Sequence, residues 1–176
     1  MDTEIRIPTL ETDRLILRAP RMEDFEAYAE FSASDRSKGV GGPYNRAQAF
    51  ARMGELIGHW HLRGYGRWML ECKETGAPVG TVGIFHPEGW PEPEIGWTVF
   101  AAAEGKGIAY EAALRTRQFA YDVLGWSTII SACMPHNTRS IALAKRLGCS
   151  ADGTFEHEVV GPHLIWRHPS AQELSA

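Results

Sequence analysis

The sequence predicts one domain of mixed α/β (α+β) class, and two patterns carry this prediction. An apolar strand pattern at 94–100 leads through a glycine-rich turn into a helical pattern, and another strand pattern at 127–134 follows. A strand, helix and strand in this order form a right-handed parallel crossover in nearly all folds. The strand patterns at 68–72 and 79–85 are instead joined by turn formers, which predicts an antiparallel hairpin. A mixed central sheet is therefore expected.

The N-terminal part predicts a short strand followed by two helices. Residues 14–18 are β-compatible, and the apolar spacing over 20–34 predicts the first helix. Glycine and proline between 37 and 44 indicate a mobile connection. Asn45 is a suitable N-cap for the second helix, which Gly64 ends. The apolar face of this second helix is predicted to contain Phe50, Met53, Leu56, Ile57 and Trp60.

The rest of the chain alternates helix and strand before a final hairpin. The predicted elements are a long helix ending near Gly125, the strand at 127–134, a short helix at 138–147 and strands at 154–160 and 163–168. Pro135-His136-Asn137 breaks the strand that precedes the short helix, and Gly148 ends that helix. Gly161-Pro162 is the predicted hairpin turn.

Composition limits the classes of function. With 176 residues, 44% hydrophobic and 23% charged, residues 1–176 fit one domain. The net charge is −4 and the basic residues are scattered, which argues against a nucleic-acid partner. No signal-peptide pattern is present, and no apolar run approaches the roughly 18 residues of a membrane span, so no membrane partner and a cytoplasmic location are expected.

Neither the cysteines nor the histidines predict a metal site. Cys72, Cys133 and Cys149 are far apart and form no CxxC pair, which favours reduced thiols. His59 and His61 are two residues apart on a predicted helix, so their side chains point to opposite sides. No metal cofactor is expected.

The glycine turn from Glu104 to Ala113 has the features of an anion site. Gly105 and Gly107 accept positive φ and let a ligand approach the backbone. The first amides of the following helix have no intrahelical acceptor, and Lys106 adds a positive charge. The P-loop and dinucleotide motifs are both absent. From these residues alone, an ordinary surface turn before a core helix remains an equal alternative.

The same turn resembles the pyrophosphate loop of the GNAT acetyltransferase superfamily, Gln/Arg-x-x-Gly-x-Gly/Ala. Gly107 and Ala109 occupy its last two places, and Glu104 departs from the first. Residues 9–18 resemble the opening strand of the ribosomal-protein N-terminal (alanine/serine) acetyltransferases within that superfamily. Further segments match the family's spacing, so that the resemblance covers nearly the whole chain: 80–83, 94–97 and 137–148. It implies a GNAT fold, with six to seven strands, splayed fourth and fifth strands and about four helices.

The resemblance also implies acetyl-CoA as the cosubstrate and assigns residues to it. Trp97, Thr98 and Val99 would bind the pantetheine arm through their backbone. The loop residues that would hold the pyrophosphate are Glu104, Gly105, Lys106, Gly107, Ile108, Ala109 and Tyr110. Asn137 would contact cofactor or acceptor, and Ser140 would lie near the cofactor sulfur. The alternatives are an N-cap for Asn137 and a neutral first-turn residue for Ser140.

The predicted reaction is direct attack of an amine on the thioester, without a covalent enzyme intermediate. A carboxylate would take the proton from the ammonium, and Glu94 is the first candidate, with Glu92 second. Both can also be read as solvated carboxylates. Many superfamily members have a tyrosine acid where this chain has Ala144, so Ser140 or water would protonate the thiolate.

The acceptor is predicted to be a primary amine, either a small molecule or the N-terminus of a peptide. The segments that hold it in the family carry aromatic and acidic residues here: Tyr44, Glu88, Trp90, Phe155 and Glu156. A catalytically weak acyl-CoA-binding sensor or interaction domain is the alternative from another class, and a structural protein without cofactor is a third. Exposed apolar positions on the second helix leave a homodimer open.

Overall fold

A mixed eight-stranded sheet forms the centre of the fold, with strand order β1-β2-β3-β4-β5-β6-β8-β7. The structure is a computed structural model and describes residues 6–176. The strands are β1 (Leu10–Glu11), β2 (Leu15–Arg18), β3 (Arg67–Cys72), β4 (Pro78–Phe85), β5 (Glu94–Val99), β6 (Ile130–Cys133), β7 (Ser150–His157) and β8 (Gly161–Arg167). β5 and β6 are parallel and the other neighbours are antiparallel. The predicted mixed sheet and its parallel crossover are confirmed.

Five α-helices connect or flank these strands. They are α1 (Phe25–Ala33), α2 (Arg46–Arg63), α3 (Ile108–Asp122), α4 (Thr138–Arg146) and α5 (Ala171–Leu174). Short 3-10 segments cover Met22–Asp24, Asp35–Val40 and Ala101–Ala103. The described chain thus has one strand and one helix more than the upper expectation, and both additions, β1 and α5, are very short.

The ends of α2 follow the predicted capping chemistry. The Asn45 side chain accepts a hydrogen bond from the Gln48 amide at 2.9 Å, and the Gln48 side chain accepts one from the Asn45 amide at 2.9 Å. Gly64 ends the helix at φ +77°. The predicted apolar face is wrong at Phe50, which is 56% exposed and meets Phe25 edge to face at the rim.

The sheet has a core on each face because successive strand residues point to opposite sides. On β3, Trp68 and Leu70 join a cluster that includes Ala112 and Ala113 of α3. Met69 between them joins a second cluster formed largely by α1 and α2. Helices covering both faces leave the ends of the strands as the place where a ligand can reach the backbone.

Two local features differ from the simple sequence pattern. The connection at 37–44 begins in a 3-10 segment, where the buried Ser37 hydroxyl donates to Ser32 O at 2.8 Å. The final hairpin turns at 158–160, and Gly161-Pro162 starts β8. Pro162 is tolerated there because β6 pairs with β8 only from Leu164 onward.

Within residues 6–176, no helix combines the length and apolar character needed to cross a membrane. The same part of the chain contains no group of three or more His, Cys, Asp or Glu side chains placed to hold a metal ion. Cys72, Cys133 and Cys149 are free thiols, as predicted.

Candidate active site

β5 and β6 form a fork. They pair at the single position Glu94–Ile130 and diverge beyond it. Two side chains bridge them at the base of the fork: the Ser131 hydroxyl donates to Ile95 O at 2.7 Å, and Glu94 Oε2 accepts from the Ala132 amide at 2.6 Å. These are the fourth and fifth strands of the sequence prediction, because β1 was not predicted. The predicted splay is confirmed. In the described part of the chain, the edge of β5 that faces β6 therefore lacks a strand partner for most of its length, and backbone groups there are available to a ligand.

A cavity of about 880 Å³ opens at this fork. It is lined by β5, by the loop before α3, by the end of β6 and by α4. The structure brings nearly all of the predicted site residues to it: Glu94, Trp97, Thr98, Val99, Glu104, Gly105, Gly107, Ile108, Ala109, Tyr110, Asn137 and Ser140. Lys106 is exposed and does not line the cavity, so its side chain adds charge at the rim.

The glycine loop presents the start of α3 to the cavity. Gly105 and Gly107 have φ values of +73° and +76°, which side chains with a Cβ rarely adopt. Gly107 is the N-cap residue of α3, and no side chain within residues 6–176 caps this end. The first amides of the helix are therefore free of side-chain acceptors and available to an anion.

Side chains of Thr12 and Arg14, between β1 and β2, hold this loop through hydrogen bonds that we call the brace. The sequence analysis did not predict it. Arg14 Nη1 donates to Lys106 O at 2.8 Å, and Arg14 Nε donates to Glu111 Oε2 at 2.6 Å. The Thr12 hydroxyl donates to Glu111 Oε1 at 2.5 Å. Burial raises the pKa of Glu111, but these bonds from Thr12 and Arg14 outweigh it and the pKa is lowered. The resemblance of residues 9–18 to the family's opening strand could have indicated these contacts, because that segment contains both donors, Thr12 and Arg14.

Glu104 departs from the family loop, and two arginines compensate for its charge. Its carboxylate pairs with Arg36 and with Arg139. Arg36 also donates to Val99 O at 3.2 Å on β5. Because two guanidinium groups meet one carboxylate, the entrance to the loop carries a net positive charge despite the acidic residue.

Asn137 and Ser140 lie together at the start of α4. Asn137 caps this helix, since its Oδ1 accepts from the Ser140 amide at 3.2 Å, which is the alternative role considered for it. Its Nδ2 lies beside Gly39, where an added Cβ would come within 2.7 Å. The Ser140 hydroxyl accepts from Trp97 Nε1 at 3.3 Å across the fork. Both residues line the cavity.

The two candidate bases have different environments. Glu94 is 4% exposed and lines the cavity, and burial raises its pKa, while the Arg67 charge works against that rise. Glu92 forms a two-point ion pair with Arg167 at 2.6 Å and does not line the cavity, which argues against its role as a base. Ala144 is 1% exposed in the core, so no acid stands at its position.

The end of the cavity near Glu94 differs from the predicted aromatic and acidic wall. Tyr44, Glu88 and Trp90 line it, but Phe155 lies behind Trp90 at a ring distance of 5.2 Å and Glu156 does not reach it. Two arginines also line this end. Arg52 lies over the Tyr44 ring at 4.4 Å and Arg67 over the Phe85 ring at 4.4 Å. Both were missed because neither belongs to a motif.

Comparison with known proteins identifies the family of this chain. The family model described as an acetyltransferase (GNAT) domain matches residues 14–150. This chain belongs to the GNAT acetyltransferase family. The sequence-based predictions of that family and of an acyltransferase are confirmed.

Known proteins resemble the chain over nearly its whole length. An acetyltransferase from Agrobacterium tumefaciens str. C58 is 38% identical, with a TM-score of 0.84 over 96% of this chain and 98% of its own. The uncharacterized N-acetyltransferase YoaA of Bacillus subtilis (strain 168) is 29% identical over 84% of this chain and 86% of its own. RimL, a ribosomal L7/L12 α-N-protein acetyltransferase solved with coenzyme A, is 16% identical, with a TM-score of 0.71 over 92% and 98%. That last likeness concerns the fold alone.

Proposed function

We propose that this protein is an N-acetyltransferase that moves an acetyl group from acetyl-CoA to a primary amine, of a small molecule or a peptide N-terminus. One observation carries the proposal: the uncapped start of α3 and the unpaired edge of β5 open onto the same cavity. A diphosphate needs the first feature and an extended amide-containing arm needs the second. The coenzyme A complex of the similarly folded RimL is consistent with this arrangement.

The residues of the cavity fit coenzyme A in shape and charge. Gly105 and Gly107 keep Cβ atoms away from the loop surface where the diphosphate would lie. Arg36 and Arg139 supply positive charge at the same entrance. Trp97, Thr98 and Val99 would hold the pantetheine arm through backbone groups, so their side chains need not be polar.

The chain's own groups suit the proton transfers of a direct attack. Acetyl-CoA supplies the activated thioester. Glu94 would accept a proton from the acceptor ammonium at Oε1, because Oε2 is already engaged by the Ala132 amide. A raised carboxyl pKa makes it a stronger base than an exposed glutamate. The Ser140 hydroxyl accepts a bond from Trp97 and keeps its own proton to donate to the departing thiolate.

An acceptor screen with thiol detection tests the proposal. Primary amines of several classes, including N-terminal peptides, are offered with acetyl-CoA, and at least one should release coenzyme A faster than acetyl-CoA alone. In parallel, coenzyme A at a hundred times its Kd should stabilise the protein by about 2.7 kcal/mol. If coenzyme A binds but no amine causes its release from acetyl-CoA, the protein is better described as an acyl-CoA-binding domain. The observation that supports this alternative is the absence of an acidic side chain at Ala144. If coenzyme A does not bind and no amine causes its release from acetyl-CoA, both the transferase and the acyl-CoA-binding domain are refuted.

A further inference from the structure

Arg67 has an unusual position for a charged residue. Its side chain is 14% exposed and lines the cavity at the end that contains Glu94. The register of the sheet places it beside Gly83 of β4, which is itself paired with Gly96 of β5. A Cβ at Gly96 would lie 2.0 Å from Arg67 Nη2, so the absence of a side chain there gives the guanidinium its place across the strands.

The guanidinium is poorly satisfied by the protein. Within residues 6–176 it makes no hydrogen bond, and its Nε is buried without a partner. Its contacts are the Phe85 ring at 4.4 Å and Glu94 Oε1, which at 3.8 Å from Nη2 is beyond hydrogen-bond distance. Desolvation lowers its pKa, and the neighbouring Glu94, Tyr28 and Glu55 oppose this while Arg52 adds to it. A buried guanidinium that faces a cavity with unused donors is suited to an anionic ligand group.

We infer that the acceptor is a free α-amino acid with an apolar side chain, bound with its carboxylate on Arg67 and its amine at Glu94. The inference rests on the proposed acetyl transfer and specifies its acceptor. The two protein charges are close neighbours, as are the amine and carboxylate of an α-amino acid, which a single carbon separates. Phe85, Trp90 and Val160 provide apolar surface around them. A peptide N-terminus has a neutral amide in place of the carboxylate and forms a weaker bond with arginine.

Three probes on the wild-type protein test this acceptor class. L-Phenylalanine, L-phenylalaninamide and phenethylamine share the amine and the ring, and only the first has a carboxylate. With saturating acetyl-CoA, kcat/KM from thiol release should be roughly tenfold or more higher for phenylalanine than for the other two. Equal rates, or faster reaction of the amide, would overturn the inference. So would turnover of other amines in the acceptor screen without turnover of phenylalanine. If no amine causes thiol release from acetyl-CoA, the proposed transferase activity is refuted instead.

Variants assign the preference to Arg67. Arg67→Met should lower kcat/KM for phenylalanine roughly tenfold or more beyond any loss for phenethylamine, so that the ratio of the two values approaches one. Gly96→Ala should reduce the same ratio without unfolding, because its added methyl displaces only the flexible end of Arg67. Arg46→Met is the matched control, since Arg46 pairs with Glu26 on the exposed surface. An equal loss for both probes in Arg67→Met would show that Arg67 only positions Glu94 and would overturn the assignment.

Discussion

Glu94 connects the stability of the fork with its chemistry. The carboxylate bonds the Ala132 amide at the point where the strands separate, and it faces the cavity with its other oxygen. Because burial raises its pKa, folding favours the protonated form, and the stability this provides is lost as pH rises from below 4.5 through the folded-state pKa. The protein therefore retains a carboxylate that is costly to keep ionised, which is typical of a functional site.

Replacement of Glu94 by glutamine should separate these two roles. The amide oxygen of the new side chain can still accept the Ala132 amide, so the fork should persist, but it cannot take a proton from the acceptor. We expect kcat to fall roughly 100-fold or more with little change in coenzyme A affinity. Steady-state kinetics and calorimetry measure the two quantities. Glu92→Gln is the control, because Glu92 pairs with Arg167 outside the cavity. Equal kinetic losses in both variants would contradict the assignment of Glu94 as base.

At the scale of elements, the start of α3 and the loop before it form one unit. Gly107 gives the backbone its left-handed turn, and the Arg14–Glu111 brace holds the loop from the adjacent strand region. The brace spans nearly a hundred residues of sequence, so the loop geometry depends on the packing of β2 beside α3. A loop held in this way is preorganised, which lowers the entropic cost of binding.

Gly107→Asp should weaken coenzyme A binding at least about tenfold, because it adds bulk and negative charge at a positive helix end. Gly125→Asp is a matched control, since Gly125 has a similar φ of +72° and open surroundings outside the cavity. Calorimetric titration with coenzyme A compares the two. If both variants bind as the wild type does, the diphosphate does not lie at this loop.

At the scale of the whole molecule, a buried polar chain joins α3, β6 and β5 through His168, the residue that follows β8. Arg117 lies 3.4 Å from His168 Nδ1, His168 Nε2 lies 2.9 Å from the Ser131 hydroxyl, and Ser131 donates to Ile95 O at 2.7 Å. Since the serine proton goes to Ile95 and arginine can only donate, His168 is neutral with its proton on Nε2. The two strands are thus joined at the base of the fork by a network that needs an uncharged histidine.

This network makes stability depend on pH. Burial, with Arg117 and Arg167 nearby, lowers the pKa of His168 from 6.5 to about 3. Between these two pKa values the unfolded chain binds a proton at His168 and the folded protein does not. The contribution of neutral His168 to the free energy of unfolding is therefore complete above pH 6.5 and is lost as pH falls toward 3. At pH 5 the loss is about 2 kcal/mol.

Urea unfolding at about pH 7.5 and pH 5 checks this expectation. His168→Asn should be less stable than the wild type at the higher pH but should lose about 2 kcal/mol less on acidification. His61→Gln, at an exposed position of α2, is the control and should follow the wild type. A wild-type-like acid response in His168→Asn would show that His168 does not carry the effect.

Local sequence chemistry determined the elements and the glycine loop before α3. The Asn45 cap, the Gly64 stop and the Gly107 turn depend on backbone requirements of single residues, which can be read without knowledge of the fold. The order of strands and helices and the family motifs then predicted the fork and most of the residues around it. Turn-forming residues were a poorer guide at the last hairpin. There the pairing of β7 with β8 places the turn at 158–160 and not at the predicted Gly161-Pro162.

Only the tertiary structure decided the contacts between residues distant in sequence. Whether Asn137 caps a helix, whether Glu92 faces the cavity and whether Glu104 is neutralised depend on neighbours such as Ser140, Arg167 and Arg36. The same holds for Arg67, which reaches Glu94 because strand pairing aligns it with glycines on two neighbouring strands. Sheet register and side-chain packing bring these groups together, and no short stretch of sequence contains that information.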